Sequence, residues 1–390
     1  LYLEEVLNRE QPLQPLLSKL LGHTGVVKKK KKDQWEENEE FVIDHLRLKD
    51  LRTIQSLRKV AHHSADQVGH SGLESYLEES LRGTPGAQIR TVDARRRPIG
   101  GPGELIEATR GENVQLTIDA ELSQAGIEWL RDAFETNFMS QGLSVPDYKR
   151  AALVVLDVKS GEVLGLSSLP QLNPTVYKDE EQYKKFSESY RNYFSDFSIG
   201  HSIDPGSTFK PIVALVGFSE GVLLPEDKIL CQGVFDPSNP RSNTCRNHLY
   251  GEIGIEEAIS KSCNVYFNEV GNRLGLERLI SGGRQFGLWD RVLLPHPGSS
   301  EYLPFEGAGV EPNKNPVGSA IGRGFELTPL QIANAALLIA RRGERIPLSL
   351  FMDPDAPATE RSLKIPESPL MLQTRHYEVV IKGMKQAAIS

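Results

Sequence analysis

The sequence predicts an α+β protein of two domains. A strand-like segment and an amphipathic helix (residues 114–137) precede a β-hairpin (151–167), an order typical of an antiparallel sheet that packs against helices. The 390 residues are enough for two hydrophobic cores. A turn-rich run, 98–103, ends a charged and weakly patterned first part, so we predict domains 1–108 and 109–390.

Local signals support each of these elements. Residues 114–118 alternate like a strand, and Asp119 stands where the N-cap of the following helix belongs. The hairpin has apolar, β-branched arms on either side of Lys159-Ser160-Gly161. In the first domain, a short helical pattern follows Gly69 and is expected to stop at the glycines and proline of 83–86.

Charge and hydropathy exclude several classes of protein. The net charge is −7, and the one basic block, 28–32, is followed at once by acidic residues, so no nucleic-acid partner is expected. We interpret that block as a solvated loop, with contact to an anionic lipid or a partner protein as the alternative. The apolar stretch 327–340 falls short of the ~20 residues of a membrane span and predicts a core helix. The chain starts without a Met or a signal peptide, so we expect a fragment whose membrane anchor lies upstream.

A candidate nucleophile lies at Ser207-Thr208-Phe209-Lys210, before the apolar run 212–218, which predicts a buried helix that Ser207 would open. Residues three apart on a helix face each other, so Lys210 would lie beside Ser207. A buried lysine has a lowered pKa and can take the proton of a serine hydroxyl. By itself, Ser-x-x-Lys is most often an N-cap followed by a surface lysine. About fifty residues on, however, Ser262-Cys263-Asn264 supplies the second motif of penicillin-binding proteins and related β-lactamases.

With these motifs the chain resembles the class B penicillin-binding proteins, most closely the elongation, rod-shape type often called penicillin-binding protein 2. The resemblance extends from about Gly69 to Ser390 and includes Ile321-Gly322-Arg323-Gly324, which resembles the segment beneath the family's active site. It implies a transpeptidase domain of penicillin-binding/β-lactamase type, an antiparallel sheet with helices, preceded by a partial pedestal domain of the dimerisation type.

The resemblance also implies a function, peptidoglycan D,D-transpeptidation through a serine acyl-enzyme. Ser207 would attack the penultimate D-alanine carbonyl of a stem peptide, and Lys210 would be its base. Ser262 would relay the proton to the leaving amine, while Asn264 would hold the acyl donor and contact Lys210. β-Lactams would acylate Ser207, and catalysis would need no cofactor.

The family further implies partners and a location. The substrates would be stem peptides of lipid-linked precursors, and the protein partner a polytopic rod-shape glycosyltransferase. The protein would stand at the periplasmic face of the inner membrane, held there by an N-terminal helix absent from this chain.

The sequence departs from the family at the third motif, because no Lys-Thr-Gly or Lys-Ser-Gly follows Asn264. Lys159-Ser160-Gly161 precedes the nucleophile and is interpreted as a chance match in a hairpin turn. We expect the true motif downstream of Ser390, and this stretch of the protein to be nearly inert without its oxyanion-hole donor. The alternatives are a β-lactamase, which has no use for segment 69–86, a non-catalytic β-lactam-binding scaffold or sensor, and an inactive fragment.

All three cysteines of the chain, Cys231, Cys245 and Cys263, fall in one short segment, and His248 follows Cys245 by three residues. Three thiolates and an imidazole make a tetrahedral set that zinc favours, so one hypothesis is a structural zinc site. A disulfide between Cys231 and Cys245 and three free buried thiols are the alternatives.

Overall fold

The computed structural model describes the larger part of the chain. The described residues are 16–26, 67–84, 87–88, 93, 95, 97, 99–101, 105–140, 150–189, 195–238, 244–245, 251–289, 292–295, 302–304, 315–352 and 372–389.

Helices and short antiparallel strand pairs alternate along these ranges. The helices are α1 (Ser18–Leu21), α2 (Gly72–Tyr76), α3 (Glu78–Arg82), α4 (Ala120–Ser140), α5 (Glu180–Ser189), α6 (Lys210–Ser219), α7 (Ile255–Ser260), α8 (Asn264–Gln285), α9 (Pro316–Ser319), α10 (Pro329–Ala340) and α11 (Thr374–Ala387). The strands are β1 (Thr24–Val26), β2 (Gln67–Gly69), β3 (Ala87–Gln88), β4 (Leu105–Ile106), β5 (Ala151–Leu156), β6 (Val163–Leu169), β7 (Ile229–Cys231), β8 (Gly251–Ile253), β9 (Leu293–Pro295) and β10 (Tyr302–Pro304). Each odd-numbered strand pairs with the even-numbered strand that follows it, and all these pairs are antiparallel.

The chain divides into two compact units, one of residues 1–115 with 171–194 and one of 116–170 with 195–390. The sequence did not indicate that 171–194 would group with the first unit. The domain boundary near residue 108 stays a prediction.

In the first unit, the predicted helical segment after Gly69 is confirmed as α2 and α3. The segment ends at Gly83, which has a φ of 68° and serves as the C-cap of α3. Leu73 and Leu77 turn inward from these helices and are buried. The ring of His23, the residue before β1, stacks on Tyr177 with ring centroids 3.8 Å apart, a contact to the segment 171–194 of the same unit.

In the second unit, the predicted hairpin is confirmed as β5 and β6. Lys159-Ser160-Gly161 lies in its turn, where the Asp157 carboxylate accepts the backbone N–H groups of Lys159 and Ser160. Helix α4 packs on β6 and α10 packs on β5. These contacts give the layered α+β arrangement that the sequence predicts.

The elements before the hairpin are partly as predicted. Helix α4 is confirmed, and the Asp119 carboxylate caps it by accepting the N–H of Leu122 at 2.8 Å. The predicted strand 114–118 is wrong in extent. Within 114–118, all of which the structure describes, Leu116 alone forms a β-bridge, with Phe351.

The predicted core helices are both present in the second unit. Helix α6 is buried along residues 210–218 and packs against α8 and α11. The apolar stretch 327–340 forms α10, which begins with a capping box between Thr328 and Gln331. Within the described ranges, none of the helices combines the length and apolar character required to cross a membrane.

Candidate functional site

Ser207 lies in a 3₁₀ turn, Gly206–Phe209, that leads into α6. The expectation that Ser207 itself opens the α-helix is therefore corrected, since α-helical structure begins three residues later at Lys210. The turn leaves Ser207 exposed to solvent while Lys210 is only 1% exposed. A reachable hydroxyl thus stands next to a buried amine.

The Lys210 ammonium group has three hydrogen bonds to the start of α8, two to Ser262 just before the helix and one to Asn264, its first residue. Its Nζ donates to the Ser262 carbonyl oxygen at 2.8 Å, to Ser262 Oγ at 2.9 Å and to Asn264 Oδ1 at 2.7 Å. An ammonium has three N–H donors, so these acceptors satisfy all of them. The face of the Phe267 ring lies 5.7 Å from Nζ and adds a cation–π contact.

Ser262 links Lys210 to Ser207. Its Oγ donates to Ser207 Oγ at 2.8 Å and accepts from Lys210 Nζ. Among the described residues, which include both partners, no hydrogen bond joins Lys210 directly to Ser207. With Lys210 charged, these hydrogen bonds run from the ammonium toward Ser207. When the amine is neutral it accepts instead, both hydroxyls can turn, and a proton can pass from Ser207 through Ser262 to Lys210.

The backbone of Ser262 is strained in a way that serves this contact. Ser262 has a φ of 53°, which costs a residue with a Cβ roughly 1–2 kcal/mol. The neighbouring Cys263 N–H donates to the Ala258 carbonyl at 2.8 Å, and Cys263 is the N-cap of α8. The left-handed turn between α7 and α8 aims both the carbonyl and the hydroxyl of Ser262 at Lys210.

Asn264 is held on its other side by the backbone. Its Nδ2 donates to the Thr244 carbonyl at 2.9 Å, which fixes Oδ1 as the atom that faces Lys210. The described geometry therefore brings Ser207, Lys210, Ser262 and Asn264 into one hydrogen-bonded chain.

Burial lowers the pKa of Lys210 to about 8, because the ammonium loses its hydration. The nearby sulfurs of Cys263 and Cys245 raise this pKa, and the positive charge of Arg323 lowers it. A pKa near 8 leaves about a tenth of the amine neutral at pH 7, which is enough to accept a proton.

The three cysteines meet beside this hydrogen-bonded chain. Cys231, Cys245 and Cys263 are all buried free thiols, and their Sγ atoms lie within 4.8 Å of one another. Cys245 Sγ and Cys263 Sγ are 3.5 Å apart. The Cys231–Cys245 disulfide, one of the two alternatives to a zinc site, is not formed in this structure. His248 lies outside the described residues.

Hydrogen bonds and burial give the three thiols different pKa values. The bond from Cys263 lowers the pKa of Cys245 to about 5, and the N–H of Val265 supports the same thiolate at 3.3 Å. Donation to Cys245, together with burial, raises the pKa of Cys263. Burial also raises the pKa of Cys231.

The 3₁₀ turn Gly206–Phe209, here called the nucleophile turn, packs against a second turn that contains Gly322 and Phe325, here called the supporting turn. The Gly206 N–H donates to the Gly322 carbonyl at 3.0 Å, and Phe209 packs edge-on against Phe325 with ring centroids 4.8 Å apart. This contact is close because residue 322 has no side chain, since a Cβ there would stand 2.0 Å from the Gly206 carbonyl oxygen.

Sequence reasoning did not foresee two features of the site. It expected a direct contact between Ser207 and Lys210, whereas Ser262 stands between them. It also did not single out Phe209 and Phe325 as the packing that joins the two turns. The sequence does contain a signal for this packing. Phe209 follows Ser207 by two residues, and Phe325 follows Arg323 by two residues.

Comparison with known proteins identifies the family. Residues 151–388 match the penicillin binding protein transpeptidase domain, and residues 1–116 match the penicillin-binding protein dimerisation domain. The chain belongs to the penicillin-binding protein transpeptidase family. The predicted family and fold are thereby confirmed.

Curated relatives point to the same family. The chain is 25% identical over 316 residues to peptidoglycan D,D-transpeptidase MrdA of Acinetobacter baumannii, covering 76% of this chain and 43% of that protein. It is 26% identical over 303 residues to stage V sporulation protein D of Bacillus subtilis, covering 77% of this chain and 44% of that protein. The chain therefore spans less than half the length of these relatives.

Solved structures share the fold. A peptidoglycan synthase complex that coordinates polymerization and crosslinking contains a chain that superimposes with a TM-score of 0.66 at 25% identity, over 87% of this chain and 59% of that one. PBP2 of Pseudomonas aeruginosa, crystallised with WCK 5153, superimposes with a TM-score of 0.62 at 21% identity, over 98% of this chain and 78% of that one.

Two glycines of the supporting turn make a matched pair for mutation. Gly322 and Gly324 have φ values of 78° and 76°, so alanine is strained at either position. Only at Gly322 would the new Cβ also collide with the nucleophile turn, because nothing lies within 4 Å of a Cβ at Gly324. We expect Gly322→Ala to lower the free energy of unfolding by roughly 2 kcal/mol more than Gly324→Ala does.

Urea denaturation of both variants measures this difference. Equal losses of unfolding free energy in the two variants would show that the backbone contact between Gly206 and Gly322 does not constrain the turn.

Proposed function

We propose that this chain carries the acylation site of a peptidoglycan D,D-transpeptidase that cross-links stem peptides and is acylated by β-lactams. The observation that carries the proposal is the hydrogen-bonded chain from exposed Ser207 through Ser262 to buried Lys210. The D,D-transpeptidase names of the MrdA relatives agree with it.

In the proposed first step, Ser207 Oγ attacks the carbonyl carbon of the penultimate D-alanine. Its proton passes through Ser262 to the neutral amine of Lys210. The N-terminal end of α6 favours negative charge on the carbonyl oxygen as the tetrahedral intermediate forms.

The intermediate then collapses as its C–N bond breaks. Ser262 returns the proton to the leaving nitrogen, the terminal D-alanine departs, and the peptide remains as an ester of Ser207. Asn264 holds the acyl donor. An amine of a neighbouring stem peptide then attacks the ester carbonyl and forms the new C–N bond of the cross-link. As the C–O bond to Ser207 breaks, the proton lost by the amine passes by way of Lys210 and Ser262 to Ser207 Oγ, which restores the hydroxyl. These proposed steps use the protein's own groups and need no cofactor.

The same proposal extends to partners and location. A polytopic rod-shape glycosyltransferase would work beside this protein, which fits the likeness to a chain of a peptidoglycan synthase complex. The work would take place at the periplasmic face of the inner membrane. The match of residues 1–116 to the dimerisation domain favours this class over a single-domain β-lactamase.

A structural zinc ion bound by Cys231, Cys245, Cys263 and His248 is part of the proposal. Tetrahedral zinc with Zn–S bonds of ~2.3 Å holds its sulfurs ~3.8 Å apart. The three buried Sγ atoms, within 4.8 Å of one another, need only small shifts to meet that geometry. Cys263 lies between Ser262 and Asn264, so zinc would hold the loop that presents both side chains.

The acylation proposal predicts a single labelled residue. In the full-length protein, fluorescent penicillin followed by peptide mapping should label Ser207, and Ser207→Ala should remove the label. Lys210→Arg keeps the charge but cannot act as a base, so its acylation rate should fall by about 100-fold or more. Lys382→Arg is the control, because Lys382 pairs with Glu256 on the surface and should tolerate the change.

Label that persists in Ser207→Ala would overturn the nucleophile assignment. An acylation rate for Lys210→Arg within a few fold of the Lys382→Arg rate would mean that another group is the base.

The zinc proposal predicts about one zinc per chain in protein purified without a chelator or a polyhistidine tag. Cys231→Ser and His248→Ala should each lower the zinc content and the melting temperature. His201→Ala is the control, because the His201 ring packs on Phe197 outside the cysteine cluster.

Two results would contradict the zinc site. Less than about 0.2 zinc per chain, with two thiols that react only after reduction, would indicate the disulfide. The same low zinc content with three thiols that react in unfolded protein without a reductant would indicate free cysteines.

A further inference from the structure

Arg323 stands on the turn that supports the nucleophile. Its neighbour Gly322 contacts Gly206, the residue before Ser207, through the 3.0 Å hydrogen bond from the Gly206 N–H. Ile203 and Leu327 exchange two further backbone hydrogen bonds of 2.9 Å. The chain on either side of Arg323 therefore runs antiparallel to the chain that leads into Ser207.

The backbone around Arg323 is held by two contacts and by the conformation of its neighbours. Glycines with positive φ flank it, and its own N–H donates to the Gly318 carbonyl at 3.2 Å. Two residues later, buried Phe325 packs against Phe209, which itself follows Ser207 by two residues. The position from which the Arg323 side chain starts is thus set relative to the Ser207 hydroxyl.

The positive charge of Arg323 affects the pKa of Lys210, and no described carboxylate pairs with it. Arg323 is exposed, and its positive charge lowers the pKa of Lys210. Across the part of the chain that the structure describes, its guanidinium group makes no hydrogen bond or ion pair. Glu326, the nearest carboxylate along the chain, accepts from Ser202 at 2.6 Å.

The positive charges of Lys210 and Arg323 repel each other, and an anion bound beside them would relieve that repulsion. The guanidinium group of Arg323 offers its planar fork of N–H donors to a ligand, and carboxylates match that fork with two parallel hydrogen bonds.

We infer that Arg323 binds a carboxylate of the acyl donor beside the scissile bond and so selects anionic donors. This inference rests on the proposed function, because it assigns the donor to Ser207. The carboxylate has two sources in a stem peptide, the C-terminus of the terminal D-alanine and an acidic side chain farther along. In a β-lactam the first corresponds to the ring carboxylate and the second to a carboxylate on the acylamino side chain.

Three probes separate these sources, and acylation rate constants of the full-length protein are the readout. Benzylpenicillin has the ring carboxylate, its methyl ester lacks it, and carbenicillin adds a side-chain carboxylate to benzylpenicillin. The variants are Arg323→Gln, Arg323→Lys and the control Arg131→Gln, which removes one positive charge from exposed surface of α4.

Arg323→Gln should slow the anionic probes by about tenfold or more, with the methyl ester unaffected, because a charge-assisted pair is lost. Equal slowing of benzylpenicillin and carbenicillin assigns the C-terminal carboxylate. Slowing of carbenicillin alone assigns the side-chain carboxylate. Arg323→Lys should retain part of the rate, and Arg131→Gln should match the wild type.

Rates within twofold of wild type for all probes would overturn the inference, as would equal slowing of the methyl ester or an equal effect of Arg131→Gln. If none of the probes acylates the wild-type protein, the proposed function fails on its own. Equilibrium binding of the same probes then tests Arg323, and equal affinity of wild type and Arg323→Gln for the anionic probes would overturn the inference.

Discussion

Burial of the Lys210 ammonium group is the constraint on which the rest of the site depends. Moving a charged amine out of water costs several kcal/mol unless acceptors replace its hydration. Ser262 O, Ser262 Oγ and Asn264 Oδ1 supply those acceptors at 2.7–2.9 Å. Desolvation still dominates and lowers the pKa, so the lysine remains in the structure as a cation that gives up its proton readily. The left-handed backbone of Ser262 is the local strain that this arrangement requires.

Packing beneath the site keeps these short distances in place. The Phe209–Phe325 contact joins the nucleophile turn to the turn that bears Arg323, and the bare backbone of Gly322 lets the two turns approach. Cys263 caps α8 with its sulfur, which accepts the Tyr266 N–H at 3.3 Å. Because Cys263 lies between Ser262 and Asn264, the cysteine cluster is in direct contact with the segment that carries these two residues. The supporting turn and the cysteine cluster both contact the segments that carry the site residues, and all of them belong to the second compact unit of the chain.

The sequence predicted the elements whose signals are local. Asp119 caps its helix, the β-branched arms form the hairpin, and the apolar run after Lys210 is a buried helix, because capping, alternation and continuous apolarity act over a few residues. The strand at 114–118 was wrong because a strand's length depends on its partner, and that partner lies more than 200 residues away at Phe351. The position of Ser262 between Ser207 and Lys210 could not be predicted either. It depends on the left-handed backbone of Ser262, which no local sequence pattern requires.

The central claim is that Lys210 is buried beside Ser262 and titrates well below an ordinary lysine. NMR titration of the lysine Cε–Nζ group, assigned by its loss in Lys210→Arg, measures this directly. We predict a pKa of about 8 in the wild-type protein. Asn264→Ala, which removes one acceptor of the ammonium, should lower the pKa further. A Lys210 pKa close to the ordinary 10.5 would contradict the account, because the amine would then stay charged and could not serve as the base.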